Sequence, residues 1–257
     1  MILAQRMILL RFVRWAILSI AIACACSSFL SIAQALDWHP VPQWNGTPSG
    51  FFFNSMAQGE ILALAILALI AERVYWMSFL LLPGLWLSQS RGGWIALALG
   101  LIAVWVRRPL ILLCLVLAAT AYWTYHPSSS DYQRLLIWRA AWTHLTFWGN
   151  GFGSFWDLWI GNPAWWPIYV HNDYLQTVFE LGIWSAIPFA FVAWIGGQTS
   201  SRYWPLFIAF LFMATFSMPL HIPFALTLWL LAIASIIGDY YGSLETTCFA
   251  LPERSGD

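Results

Sequence analysis

The chain of 257 residues has few charged side chains and no lysine at all. Only 9% of its residues are charged, whereas a soluble domain carries about 25%, and 61% are hydrophobic. This shortage of charge excludes an ordinary soluble domain and predicts a protein that crosses a membrane several times. The formal net charge is zero, which excludes the basic surface of a nucleic-acid-binding protein.

Cysteine is also scarce, and its spacing fits neither a disulfide framework nor a zinc site. Cys24 and Cys26 share one apolar run, Cys114 lies in another, and Cys248 is in the tail. The sequence has no glycine-rich phosphate loop, no nucleotide-binding fingerprint and no acidic metal cluster. We therefore expect one membrane domain over residues 1–257 that works without a metal or another cofactor.

Long apolar runs predict about eight membrane-spanning helices, because about 17–25 mostly apolar residues cross the hydrocarbon core. The predicted spans are residues 14–35, 57–72, 74–90, 93–107, 109–125, 174–196, 203–219 and 221–241. The predicted fold is thus an all-α bundle with a large external loop, about residues 125–172, between the fifth and sixth spans. The first span also resembles a secretory signal ending Ala33-Gln34-Ala35, but its length favours an uncleaved anchor.

The arginines orient the predicted bundle. The predicted spans place seven arginines on one side of the membrane: Arg6, Arg11, Arg14, Arg73, Arg107, Arg108 and Arg202. The positive-inside bias therefore predicts cytoplasmic amino and carboxyl termini. Arg91, Arg134 and Arg139 are exceptions on the external side, and this departure from the bias indicates a functional role.

The external loop combines these cations with aromatic rings. Its tryptophans are Trp138, Trp142, Trp148, Trp156, Trp159, Trp165 and Trp166, and its histidines include His144 and His171. Residues 134–145 predict a helix whose apolar stripe includes Arg134, with Arg139 on the flank. Two interpretations of Arg134 stay open: it reaches lipid headgroups, or it points into a pocket under the helix.

His171 stands immediately before the sixth predicted span. The positive end of that helix disfavours a charged imidazolium, so a neutral imidazole there can accept a proton near pH 7. The alternative is an ordinary hydrogen-bonding loop residue. Asn172 or Asp173 can cap the helix, and Gln176 can complete a capping box, which gives Asn172 a structural or supporting role.

Three more charged residues are predicted near span edges. Arg91 should face an anion, because an arginine near hydrocarbon is costly and its guanidinium binds phosphate bidentately; a headgroup contact is the alternative. Glu60 can pair with Arg91, and Glu180 can pair similarly or position a substrate hydroxyl. Several arginines and one histidine on the same face suit metal-independent transfer from a pyrophosphate-linked donor.

Five motifs, in order from about residue 50 to 240, resemble the O-antigen ligase and O-antigen polymerase superfamily. They are GFFFNSMAQGEILAL from Gly50, SQSRGG from Ser88, RLLIW from Arg134, GNGFGSF from Gly149 and HNDYLQTVFELGI from His171. The resemblance implies a helical membrane glycosyltransferase of the bacterial inner membrane, acting in lipopolysaccharide biosynthesis. It also implies transfer of a glycan from undecaprenyl diphosphate, on the periplasmic side, to lipid A core, a growing O-antigen or polysaccharide chain, or a protein hydroxyl.

The resemblance also implies roles for individual residues. The family's span-edge arginine falls on Arg91, its loop arginine on Arg134 and its essential histidine on His171, whereas Arg139 has no firm counterpart. Family members usually have more spans than this chain. The alternative function is non-enzymatic, as a transporter or a subunit of a polysaccharide-export assembly. A transporter should carry ionisable groups or broken helices near mid-bilayer, and here the polar residues collect at one face.

Overall fold

The computed structural model describes residues 2–38, 47–52, 54–105, 129–155, 170–198, 201–217 and 219–249. Over these ranges the chain is all-helical, with nine α-helices, two short 3-10 helices and no strand, which confirms the all-α prediction. The α-helices are α1 (Ile2–Ala35), α2 (Ser55–Ala71), α3 (Tyr75–Leu87), α4 (Arg91–Trp105), α5 (Ser129–Thr143), α6 (Asp173–Leu181), α7 (Ala186–Gln198), α8 (Trp204–Phe216) and α9 (Pro223–Phe249). The 3-10 helices are Ile183–Ser185 and Pro219–His221.

Two helices are long and apolar enough to cross a membrane by length and composition, where eight spans were predicted. They are Leu10–Ala35 within α1 and Pro223–Gly242 within α9. The other apolar helices have 10–17 residues. A helix of 17 residues is about 26 Å long, which is shorter than a hydrocarbon core of about 30 Å. The fifth predicted span, residues 109–125, lies outside the described residues.

Three predicted boundaries differ from the structure. The sixth predicted span, 174–196, is broken at Gly182, whose φ of +80° ends α6 before the chain continues into α7. The loop helix begins at Ser129 rather than at residue 134. The polar tail predicted after Tyr241 is helical as far as Phe249.

The central element of the bundle is α2, which contacts α1, α3, α4, α8 and α9. All of its residues from Ala57 to Leu69 are buried. Small residues let α4 approach it closely: a Cβ on Gly93 would lie 2.6 Å from the Gly59 carbonyl oxygen, and one on Gly59 would lie 2.3 Å from Ser90 Cβ. Such contacts give helices van der Waals packing where lipid supplies no hydrophobic driving force.

The two ends of α2 define two ends of the bundle. At the Ser55 end, the first turns of α2 meet Ser217, which follows α8, and the Ser88–Arg91 turn between α3 and α4. At the Glu72 end, the residue that caps α2 meets Tyr203, which precedes α8. Arg91 and Glu60 are therefore at the same end, as the predicted external face requires.

Candidate functional site

A group of polar side chains lies at the Ser55 end, and we call Glu60, Arg134, His171, Asp173 and Ser217 the buried polar cluster. Glu60 and Asp173 are each 1% exposed, and Arg134 is 8% exposed. Glu60 Oε2 accepts a hydrogen bond from Ser217 Oγ at 2.8 Å, and its carboxylate interacts electrostatically with Arg134 and Asp173. Since a buried charge is costly unless it is compensated, the guanidinium of Arg134 stabilises the Glu60 carboxylate.

Arg134 points inward from α5. Its Nη2 lies 3.2 Å from Met56 Sδ in the first turn of α2. The buried face of α5 carries Arg134, Ile137 and Ala141, whereas Trp142 is 70% exposed. The interpretation in which Arg134 enters a pocket under the helix therefore fits the structure, and the lipid-headgroup interpretation of this residue does not.

His171 combines an unusual backbone with an unsatisfied ring. Its φ is +56°, a left-handed conformation that costs a non-glycine residue of the order of 1–3 kcal/mol and often occurs at functional sites. Its Nδ1 is buried and has no hydrogen-bond partner in the described part of the chain. Burial, and next the positive charge of Arg134, lower the pKa of His171 from 6.5 to about 4. The imidazole is therefore neutral near pH 7.

The neighbours of His171 are fixed on both sides. Val170 accepts a hydrogen bond from Trp138 Nε1 at 3.0 Å and donates one to Gln176 Oε1 at 3.1 Å. Asn172 caps α6, because its Oδ1 accepts from the Leu175 N–H at 2.9 Å. These bonds hold the strained residue between them in one position.

Two expectations for this segment need correction. Gln176 does not complete a capping box, because its side chain is bonded to Val170 and Glu180. Glu180 accepts from Gln176 Nε2 at 3.0 Å and is 6% exposed, so its hydrogen-bond partner among the described residues is an amide rather than an arginine. Both side chains thus act within α6 to hold the chain that precedes it.

Asp173 links the site to a distant segment. Its Oδ2 accepts from the Leu220 N–H at 2.8 Å, and its Oδ1 lies 3.1 Å from His221 Nδ1. Burial raises the pKa of Asp173, although the bonds from His221 and Leu220 oppose this effect. The sequence indicated only a helix-capping role for Asp173, so its contact with His221 was not predicted. Nothing in the local pattern joins two residues that are 48 positions apart.

Arg91 and Arg139 are exposed, unlike Arg134. Arg91 begins α4 next to Ser90, which packs against Gly59. The predicted Glu60–Arg91 ion pair is not formed in the described ranges, where Glu60 bonds to Ser217 and interacts with Arg134 instead. The structure therefore brings Glu60, Arg134 and His171 together and leaves Arg91 and Arg139 at the surface.

Arg139 lines a largely apolar groove of about 580 Å³ between α5 and α6. Its wall also contains Trp138, Trp142, Leu175 and Asn172. Because Asn172 directly follows His171, the groove runs beside the buried polar cluster. It offers aromatic surface and one guanidinium to a ligand.

The glycine-rich segment after α5 docks on the end of α6 through its backbone. The N–H groups of Asn150 and Gly151 donate to the carbonyl oxygens of Phe179 and Glu180, both at 2.9 Å. Gly149, with φ +82°, approaches so closely that a Cβ there would lie 2.3 Å from the Glu180 carbonyl oxygen. The segment therefore has a structural role, which is to join α5 to α6.

We expect Gly149→Ala to lower the free energy of unfolding by about 1–3 kcal/mol more than Gly153→Ala, because this is the usual cost of overpacking. Gly153 is a matched control, since its φ of +78° is nearly the same and a Cβ there would meet nothing within 4 Å. Thermal unfolding of both purified variants in one detergent measures the difference. Equal losses of stability in the two variants would show that backbone strain alone, without the clash, accounts for the effect of Gly149→Ala.

The lowered pKa of His171 predicts a pH dependence of stability. Between the unfolded value of 6.5 and the folded value of about 4, the unfolded chain binds more protons at this residue, so the free energy of unfolding falls as the pH falls. The effect is at most about 3 kcal/mol, because one pKa unit corresponds to about 1.4 kcal/mol. Asp173, with its raised pKa, acts in the opposite direction.

Comparing the protein with His171→Gln isolates the contribution of His171, because Asp173 is present in both. Unfolding temperatures at pH 7 and pH 4.5 should differ less in the variant. An identical pH dependence would show that His171 titrates normally in the folded protein.

Within the described ranges, no group of three or more His, Cys, Asp or Glu side chains could hold a metal ion. Comparison of the chain with protein-family models, curated proteins and solved structures gave no match. The fold and the site thus define an all-helical protein with a buried cation and a neutral imidazole at one end of the bundle. The family resemblance stays a prediction from five motifs.

Proposed function

We propose that this chain is a polytopic membrane glycosyltransferase that moves a glycan from undecaprenyl diphosphate to an acceptor, without a metal, on the periplasmic side of the bacterial inner membrane. The acceptor is lipid A core or a growing O-antigen or polysaccharide chain. The observation that carries the proposal is a neutral imidazole, at His171, with an unpartnered buried nitrogen in the electrostatic field of buried Arg134.

In the proposed reaction, the His171 imidazole takes the proton of an acceptor hydroxyl while the hydroxyl oxygen bonds to the anomeric carbon of the donor glycan. The bond between that carbon and the diphosphate oxygen breaks, and its electron pair stays on the diphosphate. Arg134 stabilises the developing charge, and Arg91 and Arg139 bind the outer oxygens. Attack opposite the leaving group inverts the anomeric centre.

Binding of the donor would also change the pKa of His171. An imidazole with a pKa of about 4 is neutral but weak, and general bases work best with a pKa near the operating pH. A diphosphate next to Arg134 brings negative charge that favours the imidazolium. The pKa of His171 would therefore rise when the donor binds, so that the base is strongest when a leaving group is present.

The groove between α5 and α6 supports a substrate that is both apolar and anionic. Its tryptophans offer flat surfaces to sugar rings or isoprenoid units, and Arg139 offers a charge to phosphate. Its position next to Asn172 puts any ligand in it close to His171. We propose that donor or acceptor enters through this groove.

Several observations support the membrane setting that we propose, and we propose the eight-span topology with cytoplasmic termini from the sequence pattern. Two helices have the length and hydropathy of spans. Large aromatic side chains lie exposed on the bundle surface, among them Trp15, Trp76, Trp86 and Trp105. Arg14 and Arg202 both meet Glu72, at the opposite end of α2 from the buried polar cluster, which agrees with the positive-inside bias.

One observation favours the alternative of a transporter. The chain that was predicted as a continuous sixth span breaks at Gly182, and broken helices occur at transporter binding sites. Purified protein in vesicles that contain polyprenyl-diphosphate glycan separates the two. Glycan transferred to an added acceptor supports the enzyme, whereas movement of the intact donor across the bilayer supports the transporter.

Deletion of the gene tests the proposal in cells through the glycan on the cell surface. Loss of all long glycan from its lipid anchor would indicate ligation. Anchors that carry single repeat units would indicate polymerisation. An unchanged glycan profile, with restored expression giving no difference, would contradict both forms of the proposal.

A further inference from the structure

A second cavity, of about 560 Å³, lies at the Glu72 end of the bundle. We call it the arginine pocket, because Arg14, Arg73 and Arg202 line it together with Glu72. These residues come from α1, from the end of α2 and from the segment before α8. The fold therefore gathers three cations that are distant in the sequence, in a place that the proposed glycosyl transfer does not use.

The charges in the arginine pocket do not balance. Arg202 Nη2 lies 3.0 Å from Glu72 Oε1, and Arg14 Nε lies 3.8 Å from Glu72 Oε2. The Tyr203 hydroxyl also donates to Glu72 Oε1. The residues that line the cavity thus include three arginines and one carboxylate, which is a formal excess of two positive charges.

The guanidinium groups keep donors for a ligand. The Glu72 side chain is 2% exposed, whereas those of Arg14 and Arg202 are 59% and 45% exposed. Each guanidinium has five N–H donors, and one buried carboxylate uses few of them. The buried carboxylate therefore holds Arg14 and Arg202, and both of these partly exposed side chains line the cavity.

Arg73 occupies a position where glycine is usual. It follows Glu72, the C-cap of α2, with φ +61°, and the Val74 N–H bonds back to the Leu69 carbonyl oxygen at 2.9 Å. This is the Schellman arrangement, whose left-handed residue is most often glycine. An arginine here bears backbone strain that a glycine would not. The Arg73 side chain is nevertheless the third cation that lines the cavity.

The cavity also has apolar lining. Leu67, Ile70, Ala103 and Trp204 contribute to its wall, together with Tyr75 and Ser201. A ligand that fits both parts has an anionic head next to an apolar body. Arginine binds phosphate oxygens bidentately, so phosphate matches the head better than a diffuse anion does.

We propose that the arginine pocket binds the phosphate group of an anionic membrane phospholipid, with the lipid's glycerol and upper acyl chain against the apolar wall. This inference uses the membrane setting proposed above but not the glycosyl transfer. The lipid would hold the ends of α1, α2 and α8 together at the membrane surface.

The test uses the full chain, purified in a neutral detergent without phosphate. Its unfolding temperature is titrated with short-chain phosphatidylglycerol, with short-chain phosphatidylcholine and with inorganic phosphate. We expect phosphatidylglycerol to bind at least about fivefold more tightly than phosphatidylcholine, because one arginine near an anionic headgroup contributes about that factor. Inorganic phosphate should bind much more weakly, because it gains nothing from the apolar wall.

Variants then locate the binding site. Arg73→Gly should weaken phosphatidylglycerol binding about fivefold, while the unfolding temperature without lipid stays at least as high, since glycine adopts the left-handed conformation readily. Arg14→Gln, which changes a mostly exposed side chain, should have a similar effect on binding. Arg11→Gln removes the same charge one turn away, outside the pocket, and should leave binding unchanged.

Three results would overturn the proposal. Equal affinity for phosphatidylglycerol and phosphatidylcholine would show that the pocket does not bind an anionic headgroup. The same conclusion would follow if phosphatidylglycerol bound with one affinity to Arg73→Gly, Arg14→Gln and Arg11→Gln. Inorganic phosphate that binds as tightly as phosphatidylglycerol would show a phosphate site that is not a lipid site. None of these results depends on glycan transfer, so they leave the proposed enzyme untouched.

Discussion

Replacing His171 with alanine is expected to lower glycan transfer by about 10²–10⁴-fold, the range that general acid–base catalysis contributes. The protein should still accumulate in the membrane, because the His171 ring has an unpartnered buried nitrogen whose removal breaks no bond to Nδ1. Transfer is measured as surface glycan in cells that lack the chromosomal copy. Accumulation is measured by immunoblot of the membrane fraction.

His144→Ala is the matched control for this experiment. His144 lies in the same predicted external loop, but it is exposed, and its Nδ1 lies 2.9 Å from the carbonyl oxygen of Ala140 in the preceding turn. Its loss should leave transfer unchanged. Normal transfer by His171→Ala, at normal protein level, would remove His171 from the mechanism.

Replacing Arg134 with methionine is expected to abolish transfer and also to reduce the amount of protein. Loss of one donor that stabilises a developing anion lowers rates by about 10²–10³-fold. In addition, the buried carboxylate of Glu60 loses the positive charge with which it interacts, and leaving one buried charge uncompensated costs about 3–5 kcal/mol. Accumulation and transfer are measured as for His171.

A double variant separates these two effects of Arg134. Arg134→Met combined with Glu60→Gln removes the charges of Arg134 and Glu60 together. A glutamine side chain can still bond to Ser217. Accumulation should recover, while transfer stays absent. Recovery of transfer in the double variant would show that Arg134 only compensates Glu60 and does not bind the diphosphate.

The helices that sequence patterns predict well are those bounded by local signals. The prediction that began a helix at residue 57 is close to the start of α2, because Asn54 caps it through the Ala57 N–H at 2.6 Å. The start of α8, predicted at residue 203, is Trp204, where Pro205 fits the first turn. In both places the boundary depends on residues within one turn of it.

Features that depend on distant residues were not predicted. The sequence predicted Arg91 as a possible partner of Glu60. In the structure, Glu60 accepts a hydrogen bond from Ser217, which is 157 positions away. The apolar sequence around Gly182 gives no sign that the helix breaks there. In the structure, Gly182 packs against the backbone of Phe147 and Trp148, and the helix ends at this contact. Apolar periodicity records which residues avoid water, and it does not record which helix they meet.

Hydrogen bonds fix α6 at both ends. Asp173 bonds its first turn to the Leu220 N–H, and the Gly149 segment bonds its last turn, so this helix of about 13 Å is held in place. His171 lies two residues before the start of this fixed helix. If the proposed lipid-linked sugar enters the adjacent groove, we expect α5 rather than α6 to move, and this movement would break the Trp138–Val170 hydrogen bond.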